Sequence, residues 1–158
     1  MALRFHEIAE AGHRILNPFT EEKLRLLDKI CCLYQGQRQL DLCCGKGEML
    51  CAWSRDHGIS GVGVDISEFF LTAAQDRAEE LGAAARVRFV HADAGTYRDD
   101  AAPYDIVSCI GATWIGGGLS GTIDLIRPLV RSDGLVLIGE PYWITEPTPG
   151  DDRPLLLA

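Results

Sequence analysis

The sequence predicts an α/β fold, an open parallel sheet with right-handed crossovers, and three observations predict it. Short apolar runs alternate along the chain with segments of helical periodicity. The runs are continuous and rich in branched residues, the pattern of strands covered on both faces, where a half-wet strand would alternate. Finally, 158 residues suit one domain that buries roughly two thirds of its unfolded surface.

In order, NPFTEEKLRLLDKICCLYQ opens on Asn17-Pro18, offers Thr20 as an N-cap, and sets Glu21 and Glu22 in the first turn, where the helix dipole favours negative charge. Leu24, Leu27, Ile30 and Cys31 recur at helical spacing, so a helix of about fourteen residues is expected before the first strand. RQLDLCC reads as that strand, GEMLCAWSRDHG as a helix stopped by Gly58, and GVGVDI as the second strand. Ser67 caps the next helix, with Phe70, Ala74, Ala78 and Leu81 on one face and Gly82 at its end. RVRFVHAD and YDIVSCIG follow as strands three and four. SGTIDLIRPLV is a helix interrupted near Pro128, and GLVLIGE is strand five.

Fifteen Lys and Arg against twenty-three Asp and Glu give a net charge of −8, which repels a phosphate backbone and leaves no basic stripe for nucleic acid. MALRFHEIAEAGHRIL carries charges throughout and resembles no secretion signal, and no long apolar run suggests a membrane span. A soluble, cytoplasmic protein is expected. The six cysteines, at 31, 32, 43, 44, 51 and 109, include no Cys-x-x-Cys and no His at finger spacing, so metal and thioredoxin-type readings both fail. They read as small, buried, reduced residues, with Cys44 packed inward and Cys43 and Cys109 as the two to watch.

Ligands of open parallel sheets sit outside the carboxyl ends of the strands. There strand one ends in Asp41, Cys43, Cys44, Gly45 and Gly47, strand two in Asp65, strand three in Asp93, strand four in Cys109, Ile110 and Gly111, and strand five in Glu140. Asp65 lies eighteen residues beyond Gly47, near the spacing at which an acid meets ribose hydroxyls in nucleotide folds. Gly-Lys-Gly-Glu-Met-Leu lacks the third glycine of a dinucleotide turn, Asp41 and Glu48 flank it with charge that repels a pyrophosphate, and no Gly-Lys-Ser or Gly-Lys-Thr offers a P-loop. An acidic glycine turn suits a nucleoside with a zwitterionic or cationic tail: an ammonium near Asp41, ribose hydroxyls on Asp65, an exocyclic amine on Asp93. S-adenosylmethionine distributes its charge in that way. For each acid a local role competes: Asp41 could satisfy loop amides, and Asp93 could form a turn in HADAGTY.

LDLCCGKGEML, GVGVDIS, VRFVHADA, YDIVSCIGATWIGGG and LIRPLVRSDGLVLIGEPYW resemble, in order and spacing, the motifs of class I S-adenosylmethionine-dependent methyltransferases. NPFTEEK, GATWIGGG and IGEPYW resemble more narrowly a bacterial group acting on small molecules, and the resemblance covers residues 13–145. It implies a strand order of 3-2-1-4-5 and a domain over 1–145 with an N-terminal helical cap (1–36) that folds over the cofactor. A Pro-rich, flexible tail (146–158) would follow. It implies that Asp41, Cys43, Gly45 and Gly47 meet the methionine moiety of S-adenosyl-L-methionine, and that Asp65 clamps the ribose. Ile66 would lie on the adenine, Asp93 and Ala94 would bind its polar edge, and Cys109 and Ile110 would line the sulfonium side. The family's commonest residue at position 43 is glycine, so Cys43 departs from it.

Trp114, Tyr142 and Trp143 are candidates for the acceptor pocket, with packing of a mobile loop the competing role for Trp114. Glu140 is the one carboxylate positioned to act as a base. His13 is the histidine most apt to approach the cofactor. The resemblance implies further strands, six and seven, past strand five in relatives of this kind, and this sequence is expected not to form them. Strand five is therefore expected to be an exposed edge, open to self-association. The expected acceptor is a small molecule, with neither nucleic acid nor membrane as a partner. A non-catalytic nucleoside-binding remnant is the alternative to an enzyme, and a nicotinamide-dependent dehydrogenase is disfavoured by the acidic turn.

Overall fold

A computed structural model describes residues 2–16 and 19–140. Helices α1 (Ala2–Ala9) and α2 (Glu21–Cys31) precede β1 (Arg38–Leu42), α3 (Glu48–His57), β2 (Ser60–Asp65), α4 (Glu68–Glu80), β3 (Val87–His91) and β4 (Tyr104–Ile110). A short 3-10 turn (Thr113–Gly116), α5 (Leu119–Ile126) and β5 (Val130–Gly139) complete the described chain. The five strands are parallel and lie in the order β3-β2-β1-β4-β5, as expected. The order reverses between β1 and β4, so the carboxyl end of β1 opens on the crevice where such sheets bind ligands.

Side chains alternate across the sheet and divide the core in two. Leu40, Leu42, Val107 and Cys109 point to one face and pack with Ile126 and Leu129. Ile106 turns to the other, where Leu50, Cys51, Trp53 and Ala78 of α3 and α4 cover it. Gln39 and Asp41 alternate with Leu40 and Leu42, and Asp41 pairs in register with Ser108. Three polar side chains are thereby buried together on the α3 side of an otherwise apolar sheet.

Helix boundaries follow local chemistry. The Thr20 hydroxyl accepts the Lys23 amide and starts α2, and Ser67 accepts the Phe70 amide and starts α4. Gly58 ends α3 in the left-handed conformation. Three expectations are corrected. Helix α2 runs eleven residues, because Cys32 adopts φ 50° and ends it, and Ile30 stays 67% exposed. Strands β3 and β5 are only partly covered, because they lie at the outer positions of the described sheet. Strand β5 begins at Val130, before the predicted glycine, with a register shift opposite Tyr104 and Ile106. No described helix is long and apolar enough to cross a membrane.

Candidate functional site

The turn after β1 carries the left-handed conformation three times, at Cys43 (φ 58°), Gly45 (φ 53°) and Gly47 (φ 69°). An L residue there costs roughly 1–2 kcal/mol, which Cys43 incurs and the two glycines avoid. Cys44 donates its amide to the Val64 carbonyl, and its sulfur fills the notch left by Gly63, 2.7 Å from where a Cβ would stand. It is packed inward, as expected. The six cysteines are not uniformly buried, however: Cys51 and Cys109 are, Cys31, Cys43 and Cys44 are half-buried, and Cys32 is exposed on the tight turn that ends α2. Burial pushes the Cys51 and Cys109 thiols up to about 12 and the Cys43 and Cys44 thiols well above their usual range, so none of these four is a thiolate at neutral pH.

Asp41 is 4% exposed and accepts a 2.6 Å hydrogen bond from the Ser108 hydroxyl. Burial pushes its carboxyl up to about 7, with the Ser108 bond opposing the shift and the Asp65 carboxylate adding to it. Among the described residues it has no ion pair. Asp65 is also buried and braces the turn: one oxygen accepts the Gly45 amide at 2.8 Å, the other the Ser67 amide at 2.9 Å. Each carboxylate oxygen keeps a second lone pair for a ligand. Asp93 is exposed and accepts the Gly95 amide, so the turn-forming role weighed for it is real. The Cys43 thiol feels Cys109, Asp65, Asp41 and Asp93, so these acids share one neighbourhood. Ala94 is buried beside it, and Ile66 is 46% exposed.

Glu48 corrects the acidic reading of the turn. Its carboxylate takes two bonds from Arg14, at 2.9 and 3.0 Å, and lies 2.8 Å from Arg77 Nε. The acidity left to a ligand is that of Asp41, Asp65 and Asp93.

Sequence reasoning missed how the N-terminal segment is fastened over this turn. Buried Lys46 donates to the carbonyls of Glu10, Ala11 and His13 at 2.7, 3.0 and 2.5 Å. Glu7 accepts from Ser67 Oγ at 2.6 Å, the His6 ring meets Phe70 edge-on, and Leu16 lies against Gly45. The cavity under this strap is lined by Arg14, Leu16 and Phe19 above and by Asp41, Cys43 and Ile110 below. His13 itself is exposed and pairs with Glu10. A lysine between two glycines of an acidic chain was the available signal for the strap. A serine and a glutamine inside apolar strands were the signal for the Asp41 support.

At the carboxyl end of β4 Cys109 is buried, and beyond it Trp114 is 68% exposed, so Trp114 does not anchor its segment. The segment is held instead by the Glu140 carboxylate, which accepts the Thr113 amide at 2.9 Å, and by Thr122 Oγ on the Thr113 carbonyl. Gly116 and Gly121 let the two backbones touch: a Cβ on Gly121 would stand 1.9 Å from the Gly116 carbonyl oxygen. Tyr142 and Trp143 lie outside the described residues.

Comparison with known proteins bears on this geometry. A family profile described as a methyltransferase domain matches residues 40–134. The chain is 49% identical over 140 residues to the Escherichia coli K12 protein YjhP, itself uncharacterised, a match covering 89% of this chain and 56% of YjhP. It also resembles the crystal structure of an S-adenosylmethionine-dependent methyltransferase from Geobacter sulfurreducens in complex with S-adenosyl-L-homocysteine. There the TM-score is 0.90 and the identity 51%, over 94% of this chain and 59% of that one. A Thiobacillus denitrificans methyltransferase in the same complex gives a TM-score of 0.89 and 49% identity, over 92% of this chain and 58% of that one. The chain thus spans less than two thirds of the length of these relatives.

Proposed function

Because the chain belongs to the methyltransferase-domain family, we propose that it binds S-adenosylmethionine across the carboxyl ends of β1, β2 and β3 and methylates a small-molecule acceptor. One observation supports the cofactor reading above the others. Asp41 is a buried carboxylate without an ion pair among the described residues, and it lines a cavity beside a backbone turn braced by a second buried carboxylate. Such a charge is costly unless a cation joins it, and the ammonium of an aminoacyl nucleoside is such a cation. The residues present therefore fit the cofactor. In this reading Asp41, Cys43, Gly45 and Gly47 receive the methionine end, and Asp65 takes the ribose. Ile66, Asp93 and Ala94 receive the adenine, and Cys109 and Ile110 flank the reacting sulfur.

When bound, the cofactor supplies a methyl group on a positively charged sulfur that leaves as a neutral thioether. The protein then has to position and to exclude water. Lys46 and Arg14 serve the second task by fastening the N-terminal strap beside the glycine turn. Trp114, exposed near the ends of β4 and β5, offers an aromatic wall to an acceptor. Glu140 stands by as a base for an acceptor that must lose a proton, although its bond to Thr113 also gives it a structural task.

Calorimetric titration with S-adenosylhomocysteine and, separately, with NAD tests the cofactor reading. Saturable binding of the first and none of the second is expected. Equal binding of both, or of NAD alone, would refute it. Transfer of labelled methyl from S-adenosylmethionine to a panel of small acceptors then tests the reaction.

A further inference from the structure

The buried face of β1 and β4 carries a short polar chain that packing alone does not require. Gln39 Nε2 donates to Ser108 Oγ at 2.9 Å, and Ser108 Oγ donates to Asp41 Oδ1 at 2.6 Å. Gln39 and Ser108 are fully buried, the Gln39 carbonyl oxygen has no partner among the described residues, and Asp41 lines the cavity under the strap. Leaving a glutamine oxygen unsatisfied in a core is expensive, so the amide it carries must serve its neighbour. We propose that Ser108 is a positioning residue for cofactor capture: its hydroxyl aims the Asp41 carboxylate at the cavity and sets the pH below which an ammonium-bearing ligand is released. This rests on the cofactor reading given above.

The hydroxyl has one proton and two acceptors within reach, Asp41 Oδ1 at 2.6 Å and the Leu40 carbonyl at 3.4 Å. Because Gln39 donates into the oxygen of Ser108, the Ser108 proton is directed outward to Asp41 while that carboxylate is ionised. The other groups around Asp41 work the opposite way or are engaged elsewhere. From β2, Asp65 repels its charge, and the thiols of Cys43, Cys44, Cys51 and Cys109 are protonated neighbours. From the turn and the helices, Lys46 is spent on three carbonyls and Arg14 and Arg77 on Glu48 and Glu80. Ser108 is thus the described side chain bonded to the Asp41 carboxylate, opposing the burial that pushes Asp41 up to about 7. A ligand ammonium favours the ionised form, so binding should release a proton at and below that pH and weaken about tenfold per pH unit on the acid side.

The test is calorimetric titration of the whole chain with S-adenosylhomocysteine between about pH 5.5 and about pH 8.5, on wild type, Ser108→Ala and Ser108→Thr. Loss of the hydroxyl should move the acidic limb of the affinity profile upward by about one pH unit, weakening binding roughly tenfold near pH 6, roughly fivefold at pH 7 and hardly at pH 8.5. Threonine, which keeps the hydroxyl, should restore the wild-type midpoint. A purely structural role would instead lower affinity by one factor at every pH and so overturn the proposal. A second measurement needs no variant. Wild-type titrations in two buffers of different ionisation enthalpy should count close to one proton released near pH 6 and none near pH 8.5. Ligand binding with no proton released at any pH overturns this proposal alone, whereas no binding of S-adenosylhomocysteine overturns it together with the cofactor reading.

Discussion

Replacing Gly47 with alanine tests the idea that the turn is built by close approach as well as by backbone conformation. A Cβ at position 47 would stand 2.8 and 2.9 Å from two carbons of the Phe89 ring and 3.0 Å from the Ala74 Cβ, at φ 69°. Gly82, at φ 65° after α4, has nothing within 4 Å of the same position. Both substitutions incur roughly 1–2 kcal/mol for the left-handed conformation, offset in part by about 0.5–1 kcal/mol of lost unfolded-chain entropy. Only Gly47→Ala adds the overpacking penalty, typically about 1–3 kcal/mol in a filled interior. Gly47→Ala should therefore lower stability by about 2–4 kcal/mol and Gly82→Ala by about 1 kcal/mol or less. Urea unfolding by circular dichroism, with the midpoint shifting and the slope constant, measures both. Adding Phe89→Leu should recover part of the Gly47→Ala loss and none of the Gly82→Ala loss, because only the first pair is in contact. If the two alanines cost the same within about 0.5 kcal/mol, the contact argument for the turn is wrong.

Asp41→Asn should stabilise the fold at pH 8 by on the order of 2 kcal/mol while weakening S-adenosylhomocysteine binding at least tenfold. The folded Asp41 carboxyl is raised to about 7, so its contribution is greatest below the unfolded pKa and is lost as pH rises toward 7. The stabilisation should accordingly shrink toward pH 4, and thermal melts at both pH values check it. Lys46→Met should raise amide hydrogen exchange at Glu10, Ala11 and His13 by about tenfold, with a smaller effect on α3, since bonds to a charged donor are worth about 1.5–3 kcal/mol. Glu140→Gln separates two roles. If Glu140 only holds Thr113, turnover on an identified acceptor should be unchanged from pH 6 to pH 9, whereas a base would lose its pH dependence.

The parallel α/β class and the placing of the glycine turn were legible because continuous branched runs and glycine punctuation are local signals, whereas the strand order came from the family resemblance alone. Asp65 was legible as the acid that closes the apolar run of β2, and Asp41 as an acid set among apolar residues near the end of β1. The boundary of α2 was not, since Cys32 takes a left-handed conformation that its type disfavours. Nor was the discharge of Glu48, whose partners Arg14 and Arg77 lie 34 and 29 residues away in the sequence and meet it only once the strap and α4 have docked. Ser108 and Gln39 stood in plain view as polar residues within apolar strands. Period-two alternation alone cannot say that two such residues on different strands will face the same carboxylate; the register of β1 against β4 decides it.

The strap has a consequence for the order in which the molecule is made. Residues 7–14 leave the ribosome before their partners Lys46, Glu48 and Ser67, which follow 33 to 60 positions later. Its ring closure joins it to the turn after β1, to α3 and to the start of α4, so it is expected to fall in the late, low-φ part of the folding reaction. Weakening it should hasten unwinding of the finished protein and leave the nascent chain's route to the sheet almost untouched.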